Sequence, residues 1–244
     1  NVALGNGALG ALNTGLCNVA IGLNAALLST TGCLNVAIGT NALGGAITTG
    51  SSNVAIGPDA ADAVTSAYNL VAIGLRAFGA GTTGANNIAI GREAMGIGVV
   101  TGAANIAIGN DSMEDLTSGI CNIGIGVNAL GTATTGCRNV AIGVAPMNGG
   151  VVTGRDNIAL GIATMDALTS GICNIALGTN AFGASLTGCL NIAIGTNTMA
   201  GAVTGLRNIA LGMQAGDAIT SASDTVAIGS NALGGATSGG TNIA

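Results

Sequence analysis

Apolar residues along this chain fall in short clusters at an almost constant interval. The segment Asn-(Val/Ile)-Ala-(Ile/Leu)-Gly recurs from end to end. Copies begin at Asn1, Asn18, Asn35, Asn53, Leu70, Asn87, Asn105, Asn122, Asn139, Asn157, Asn174, Asn191, Asn208 and Thr225, with a truncated copy at Asn242; the step from one start to the next hardly varies. Within each copy large and small residues alternate, which is the period of a β-strand, and the β-branched residues suit one. Val19 and Ile21 point to one side, Asn18 and Ala20 to the other. With the large residues placed in the core, Ala20, Ala37 and Ala55 make a flat outer face. After the glycine comes a second apolar pair, such as Ala42-Leu43, Ala94-Met95 or Ala181-Phe182, and then a closing turn such as Thr49-Gly50. A cassette of this length cannot shield its own apolar side chains, whereas stacked copies can.

The predicted fold is therefore all-β: a parallel β-solenoid, or β-roll, of about 14 coils with 17–18 residues each, two short strands per coil and two corners. A strand spacing of about 4.8 Å makes that a rod of roughly 65–70 Å. A longer repeat lies on top, because Asn1, Asn53 and Asn105 are each 52 residues apart, three coils to a block. No linker or change of composition breaks the pattern, so residues 1–244 read as one repetitive domain, cut from or belonging to a longer fibre.

Stacking predicts columns of equivalent residues. Asn1, Asn18, Asn35, Asn53, Asn87, Asn105, Asn122, Asn139, Asn157, Asn174, Asn191 and Asn208 form an amide ladder that holds the corners. The Thr or Ser of the turn, as at Thr31, Thr83, Ser118 and Thr204, forms another. Charges test the register: Asp59, Arg76 and Glu93 share one position in successive coils with alternating sign, and Arg138 with Asp156, and Arg207 with Asp224, precede the first residue of successive coils. Cysteines appear in pairs or not at all, which points to disulfides Cys17–Cys33, Cys121–Cys137 and Cys173–Cys189 stapling adjacent coils. Their 16-residue spacing leaves each pair one place out of register, which a corner must absorb; the alternative is small buried free thiols. Disulfides imply a setting outside the cytosol.

Composition narrows the function. Aromatic residues make up 1% of the chain, so small aliphatic side chains must fill a thin interior. Charged residues are 6%, against roughly 25% in ordinary soluble domains. The net charge of −5, with no Lys, argues against nucleic acid and anionic membrane surfaces. Gly, Asn and Thr interrupt every apolar run before it could span a bilayer. With no His, Ser-His-Asp triads, Cys-His dyads and His-based metal sites are excluded. Asp62, Glu114, Asp166 and Asp217 share a column but recur only every third coil, about 14 Å apart, too far for paired carboxylate chemistry. Asp111, Glu114 and Asp115 form a local acidic cluster, read as a solvated corner or a weak Ca²⁺ site. The expectation is of no catalytic residues, no metal and no cofactor.

The motif resembles the heads of trimeric autotransporter adhesins (YadA-like heads) and phage tail-fibre segments. Asn35-Val-Ala-Ile-Gly39, Asn191-Ile-Ala-Ile-Gly195 and Asn41-Ala-Leu43 carry the resemblance, and it covers the whole chain. It implies a left-handed parallel β-roll, self-association as a homotrimer, and attachment to a host or matrix surface. The coils here are longer than the usual head repeat, and cysteines are added. The leading functional expectation is a structural or adhesive segment of an extracellular fibre or filament, on a cell or virion surface. The alternative is an ice-binding β-solenoid presenting the Thr/Ser ladder. An enzyme on a solenoid scaffold would need a carboxylate cluster on one face.

Overall fold

The computed structural model describes residues 1–235 and 240–244. The chain divides into two compact units, Asn1–Cys121 and Asn122–Ala244. The first contains β1 (Val2–Leu4), β2 (Val19–Ile21), β3 (Val36–Ile38), β4 (Val54–Ile56), β5 (Val71–Ile73), β6 (Ile88–Ile90) and β7 (Ile106–Ile108). The second contains β8 (Ile123–Ile125), β9 (Val140–Ile142), β10 (Ile158–Leu160), β11 (Ile175–Leu177), β12 (Ile192–Ile194), β13 (Ile209–Leu211) and β14 (Val226–Ile228). Both units are parallel β-solenoids. Within each, every strand pairs with the next in sequence order, in the register of the repeat: Val19 with Val36, Ala20 with Ala37, Ile21 with Ile38, and Ile175 with Ile192, Ala176 with Ala193.

Two expectations are corrected. The first is the number of strands: among the described residues each complete coil has one three-residue strand, not two. The second apolar segment is a ladder of turns in which the backbone alternates into the left-handed region, as at Asn41 (φ 55°) and Leu43 (φ 52°), or Glu93 (φ 53°) and Met95 (φ 51°). Hydrogen bonds still run between coils there. Asn24 N–H donates to Asn6 O (2.8 Å), and Ala26 N–H to Ala42 O (2.8 Å). A left-handed L-residue costs roughly 1–2 kcal/mol, and the conformation is held by hydrogen bonds to the coils on either side.

The second correction concerns which residues face inward. Ala20, Ala37, Ala55, Ala72 and Ala89 are fully buried, as are Ala141, Ala159, Ala176, Ala193 and Ala210, while the flanking Val and Ile are half-buried or exposed. The strand is turned over relative to the sequence reading. The reason lies in the asparagine, whose amide must reach backbone groups inside the coil. Alternation then sends the alanine inward with it and sends both large residues out. The interior is filled instead by the second segment, where Leu43, Phe78, Met95 and Met113 in the first unit, and Leu130, Met147, Met165, Phe182 and Met199 in the second, are buried. Both phenylalanines of the chain are therefore core residues, and alanine leaves the space they need.

Candidate functional surface

Each buried asparagine works as a piece of backbone. Asn18 Nδ2 donates to Gly32 O (2.8 Å), closing its own coil, and Asn18 Oδ1 accepts Asn35 N–H (2.9 Å), joining the next. The same pair of bonds repeats at Asn53, whose Nδ2 donates to Ala67 O (2.9 Å), and at Asn191, whose Nδ2 donates to Gly205 O (3.0 Å). Leu70 and Thr225 fit the column because their own backbone N–H groups still donate to Asn53 Oδ1 and Asn208 Oδ1, both at 3.1 Å. The ladder is interior and presents nothing to a ligand.

The outer sheet surface is what the strands do present. In the first unit it consists of the column Val2, Val19, Val36, Val54, Val71, Ile88, Ile106 beside the column Leu4, Ile21, Ile38, Ile56, Ile73, Ile90, Ile108. The second unit repeats the arrangement from Ile123 and Ile125 to Val226 and Ile228. Neither column carries a charge in either unit. Ile142 is 37% exposed and Ile194 39%, each at the end of its strand. Seven strands at about 4.8 Å and two columns of side chains make a strip about 30 Å by 10 Å, roughly 300 Å² per unit, comparable with the largest apolar patch on a typical monomer, which is often functional.

The charged residues sit at corners. Arg138 meets Asp156 with two bonds (2.6 and 3.0 Å), and Arg207 meets Asp224 likewise (2.5 and 2.7 Å). These guanidinium hydrogen bonds hold the Asp156 and Asp224 carboxyls below the usual carboxylate range. In the other column Arg76 bonds Glu93 (3.3 Å), but Asp59 accepts from Asn41 Nδ2 (2.9 Å) instead of from Arg76. Asp59 and Arg76 do line one open cavity of about 390 Å³ with Asp62, Gly79, Ala80 and Gly96. Burial, then the neighbouring Asp59 charge, push the Asp62 carboxyl up, against a backbone hydrogen bond from Gly45.

One acidic group comes together in the first unit. Carboxylate oxygens of Glu93, Asp111 and Glu114 lie within 4.8 Å of one another. Glu93 takes the place that the sequence reading gave to Asp115. It stands one coil before Asp111, so the coil period itself identifies it. Arg92 caps Glu93 at 2.6 Å, and that bond is the main reason the Glu93 carboxyl sits low. Glu114 is pushed up, first by burial and then by Asp111, Asp115 and Glu93. Both Glu93 oxygens are already taken by Arg76 and Arg92, so a Ca²⁺ ion, which takes six to eight oxygens, would need water or carbonyl ligands as well.

These opposite shifts have opposite consequences. Glu114, raised in the fold, penalises folding above its folded pKa, and the penalty is relieved as pH falls toward the ordinary glutamate value near 4.3. Glu114→Gln is therefore expected to stabilise the protein at pH 7 and to have no effect below about pH 4. Asp156 is lowered, so its contribution is present above about pH 4 and is lost as pH falls further through the folded value. Asp156→Asn is expected to destabilise at pH 7 and to match the parent once the pH has fallen below the folded value. Urea midpoints across pH check both.

All six cysteines are free thiols in the structure, so the three predicted disulfides are not formed in it. Cys17, Cys121 and Cys173 are exposed and adopt positive φ; Cys33, Cys137 and Cys189 are half-buried. Cys121 belongs to the first unit and Cys137 to the second. Among the described residues no helix is long and apolar enough to cross a membrane.

The fold and its surface define a parallel β-solenoid repeat protein with an apolar outer sheet. No protein-family model matches the chain, and no curated protein or solved structure matches it.

Proposed function

We propose that this chain is a structural or adhesive segment of an extracellular fibre, and that it associates with copies of itself through the outer sheet. The observation that carries the proposal is the uncharged double column of Val, Ile and Leu on each unit. A second copy is the partner this surface suits best. Its columns have the same pitch, so side chains can interdigitate along the length of a unit, and no charge has to be desolvated. Two or three copies would bring such strips together around a common axis, consistent with the resemblance to adhesin heads and tail fibres.

The ice-binding alternative has less support. In part of the Thr/Ser ladder the hydroxyl donates to the next coil, with Thr49 Oγ1 donating to Thr65 O (3.3 Å), Thr101 Oγ1 to Thr117 O (3.4 Å) and Thr204 Oγ1 to Thr220 O (3.4 Å). A hydroxyl so engaged has spent its only proton and offers water its lone pairs alone.

Sedimentation equilibrium tests the proposal. The parent protein is expected to sediment as a dimer or trimer at micromolar concentration. Ile73→Lys with Ile175→Lys, which places a charge in each strip, is expected to give monomers with an unchanged far-ultraviolet spectrum. A parent protein that is monomeric at high micromolar concentration, or a doubly substituted protein that associates as the parent does, contradicts it.

A further inference from the structure

The cysteines occupy two adjacent places just before the first strand residue, and the coil register sets how they meet. Cys189 pairs in parallel register with Leu206, and Leu190 N–H donates to Ile172 O (3.0 Å). Cys189 therefore stacks beside Ile172, and Cys173 beside Leu190. In the first unit Leu34 N–H donates to Leu16 O (2.9 Å), which places Cys33 beside Leu16 and Cys17 beside Leu34. Each pair is thus diagonal across neighbouring coils. Coil spacing of about 4.8 Å and a residue step of 3.8 Å put the two Cα atoms about 6 Å apart, inside the range a disulfide spans.

The two thiols of a pair differ in a repeatable way. The Cys33 thiol is turned back toward the preceding coil, accepting Leu16 N–H (3.3 Å) one residue before Cys17 and donating to Thr31 O (3.5 Å). The Cys189 thiol donates to the matching carbonyl, Thr187 O (3.3 Å). Cys17 and Cys173 are exposed at left-handed corners. One thiol of each pair is open to solution and the other is half-covered, and that of Cys33 is also held at the neighbouring coil by Leu16 N–H.

We propose that Cys17 with Cys33, and Cys173 with Cys189, are coil-to-coil dithiol switches that a low-molecular-weight disulfide of the glutathione type converts into staples. The exposed cysteine is the entry thiol and the half-buried one the resolving thiol. In the first step the Cys17 thiolate attacks glutathione disulfide, forming a mixed disulfide and releasing one glutathione thiolate. In the second, the Cys33 thiolate attacks Cys17 Sγ, the Cys17–Cys33 bond forms and the second glutathione leaves. The two cysteine protons end on the two glutathiones, and the dithiol is oxidised by two electrons as glutathione disulfide is reduced. Cys173 and Cys189 react in the same order. The inference rests on coil register and on the unequal exposure of the two thiols, and holds whether or not the chain is part of a fibre.

The test uses the full chain with Cys121→Ser and Cys137→Ser, which leaves only the two pairs. Serine fits these places, since Ser51 and Ser52 already occupy them in another coil. After reduction and incubation with glutathione disulfide, alkylation and intact mass are expected to find no reactive thiol and a loss of two hydrogens per pair. Peptide mapping should join Cys17 to Cys33 and Cys173 to Cys189. Adding Cys33→Ser should leave one stable glutathione on Cys17, whereas adding Cys17→Ser should leave Cys33 largely unmodified over the same time. Four alkylatable thiols after exchange, mixed disulfides that persist on both members of a pair, crosslinks between the two pairs, or equal modification of Cys33 when Cys17 is absent would overturn the proposal.

Discussion

Replacing Asn157 with alanine is expected to lower the unfolding free energy by about 3–5 kcal/mol, a large share of the stability of any single domain. Asn157 has no exposed surface. Its Nδ2 donates to Gly171 O (2.8 Å) and Asn139 Oδ1 (3.0 Å), while its Oδ1 accepts both the backbone N–H and the Nδ2 of Asn174, each at 3.0 Å. Alanine leaves a buried carbonyl and a buried N–H without partners, each costing about 1–3 kcal/mol, and opens a void. Asn157→Asp separates shape from chemistry. A carboxylate fits the space but cannot donate to Gly171 and is buried as a charge, so its cost should be larger at pH 7 than at pH 4, where a protonated carboxyl can donate. Urea unfolding followed by far-ultraviolet circular dichroism measures all three proteins. A change within about 0.5 kcal/mol for the alanine variant, the size of an ordinary surface substitution, would mean that the ladder is not a structural element.

Gly195→Ala is expected to cost about 3–5 kcal/mol for a different reason. Gly195 adopts φ +135°, and a methyl group there would meet Gly212 O at 2.6 Å, Gly212 C at 2.7 Å and Thr198 Oγ1 at 2.7 Å. The first two atoms are backbone of the next coil, already tied into the ladder by the bond from Gly212 N–H to Ile194 O (2.8 Å). Relief would require the coils to separate. Gly235→Ala is the control: among the described residues nothing lies within 4 Å of the added methyl, and its effect should stay within about 0.5 kcal/mol.

Coil length, strand position and strand register were all legible in the repeat, because a near-constant period that carries an alternating apolar motif leaves little choice of pairing. Which side of the strand faces inward was not. Val and Ile at the alternate positions have the greater apolar area, and an argument from area puts them in the core. The structure is decided by Asn18 and its equivalents, whose need for backbone partners outweighs the exposure of two β-branched side chains per coil. The second segment was misread as a strand because Ala42-Leu43 and Ala94-Met95 look apolar and extended. The signal was there in part, since the preceding position is often Asn, as at Asn41, Asn128 and Asn180, and Asn tolerates left-handed backbone. Nothing in Leu43 or Phe78 themselves announces positive φ; it is imposed by the coil above and below.

The candidate surface followed from the same inversion. The ion pairs Arg138–Asp156 and Arg207–Asp224 could be placed from spacing alone, because both partners stand at one position of the repeat. Asp59 escaped that logic: Asn41, in the coil before, reaches it and Arg76 turns to Glu93. Glu93 joined the acidic corner for the reason that it stacks on Asp111, a relation visible only when the chain is written coil by coil.

Methyl spectroscopy of alanine-labelled protein tests the central claim, that asparagine and alanine face into stacked coils. The account predicts unbroken methyl-to-methyl Overhauser contacts along Ala20, Ala37, Ala55, Ala72 and Ala89, and along Ala159, Ala176, Ala193 and Ala210, with none of these signals broadened by a water-soluble paramagnetic agent. Alanine methyls that broaden readily, and that show no contact from one coil to the next, would contradict it.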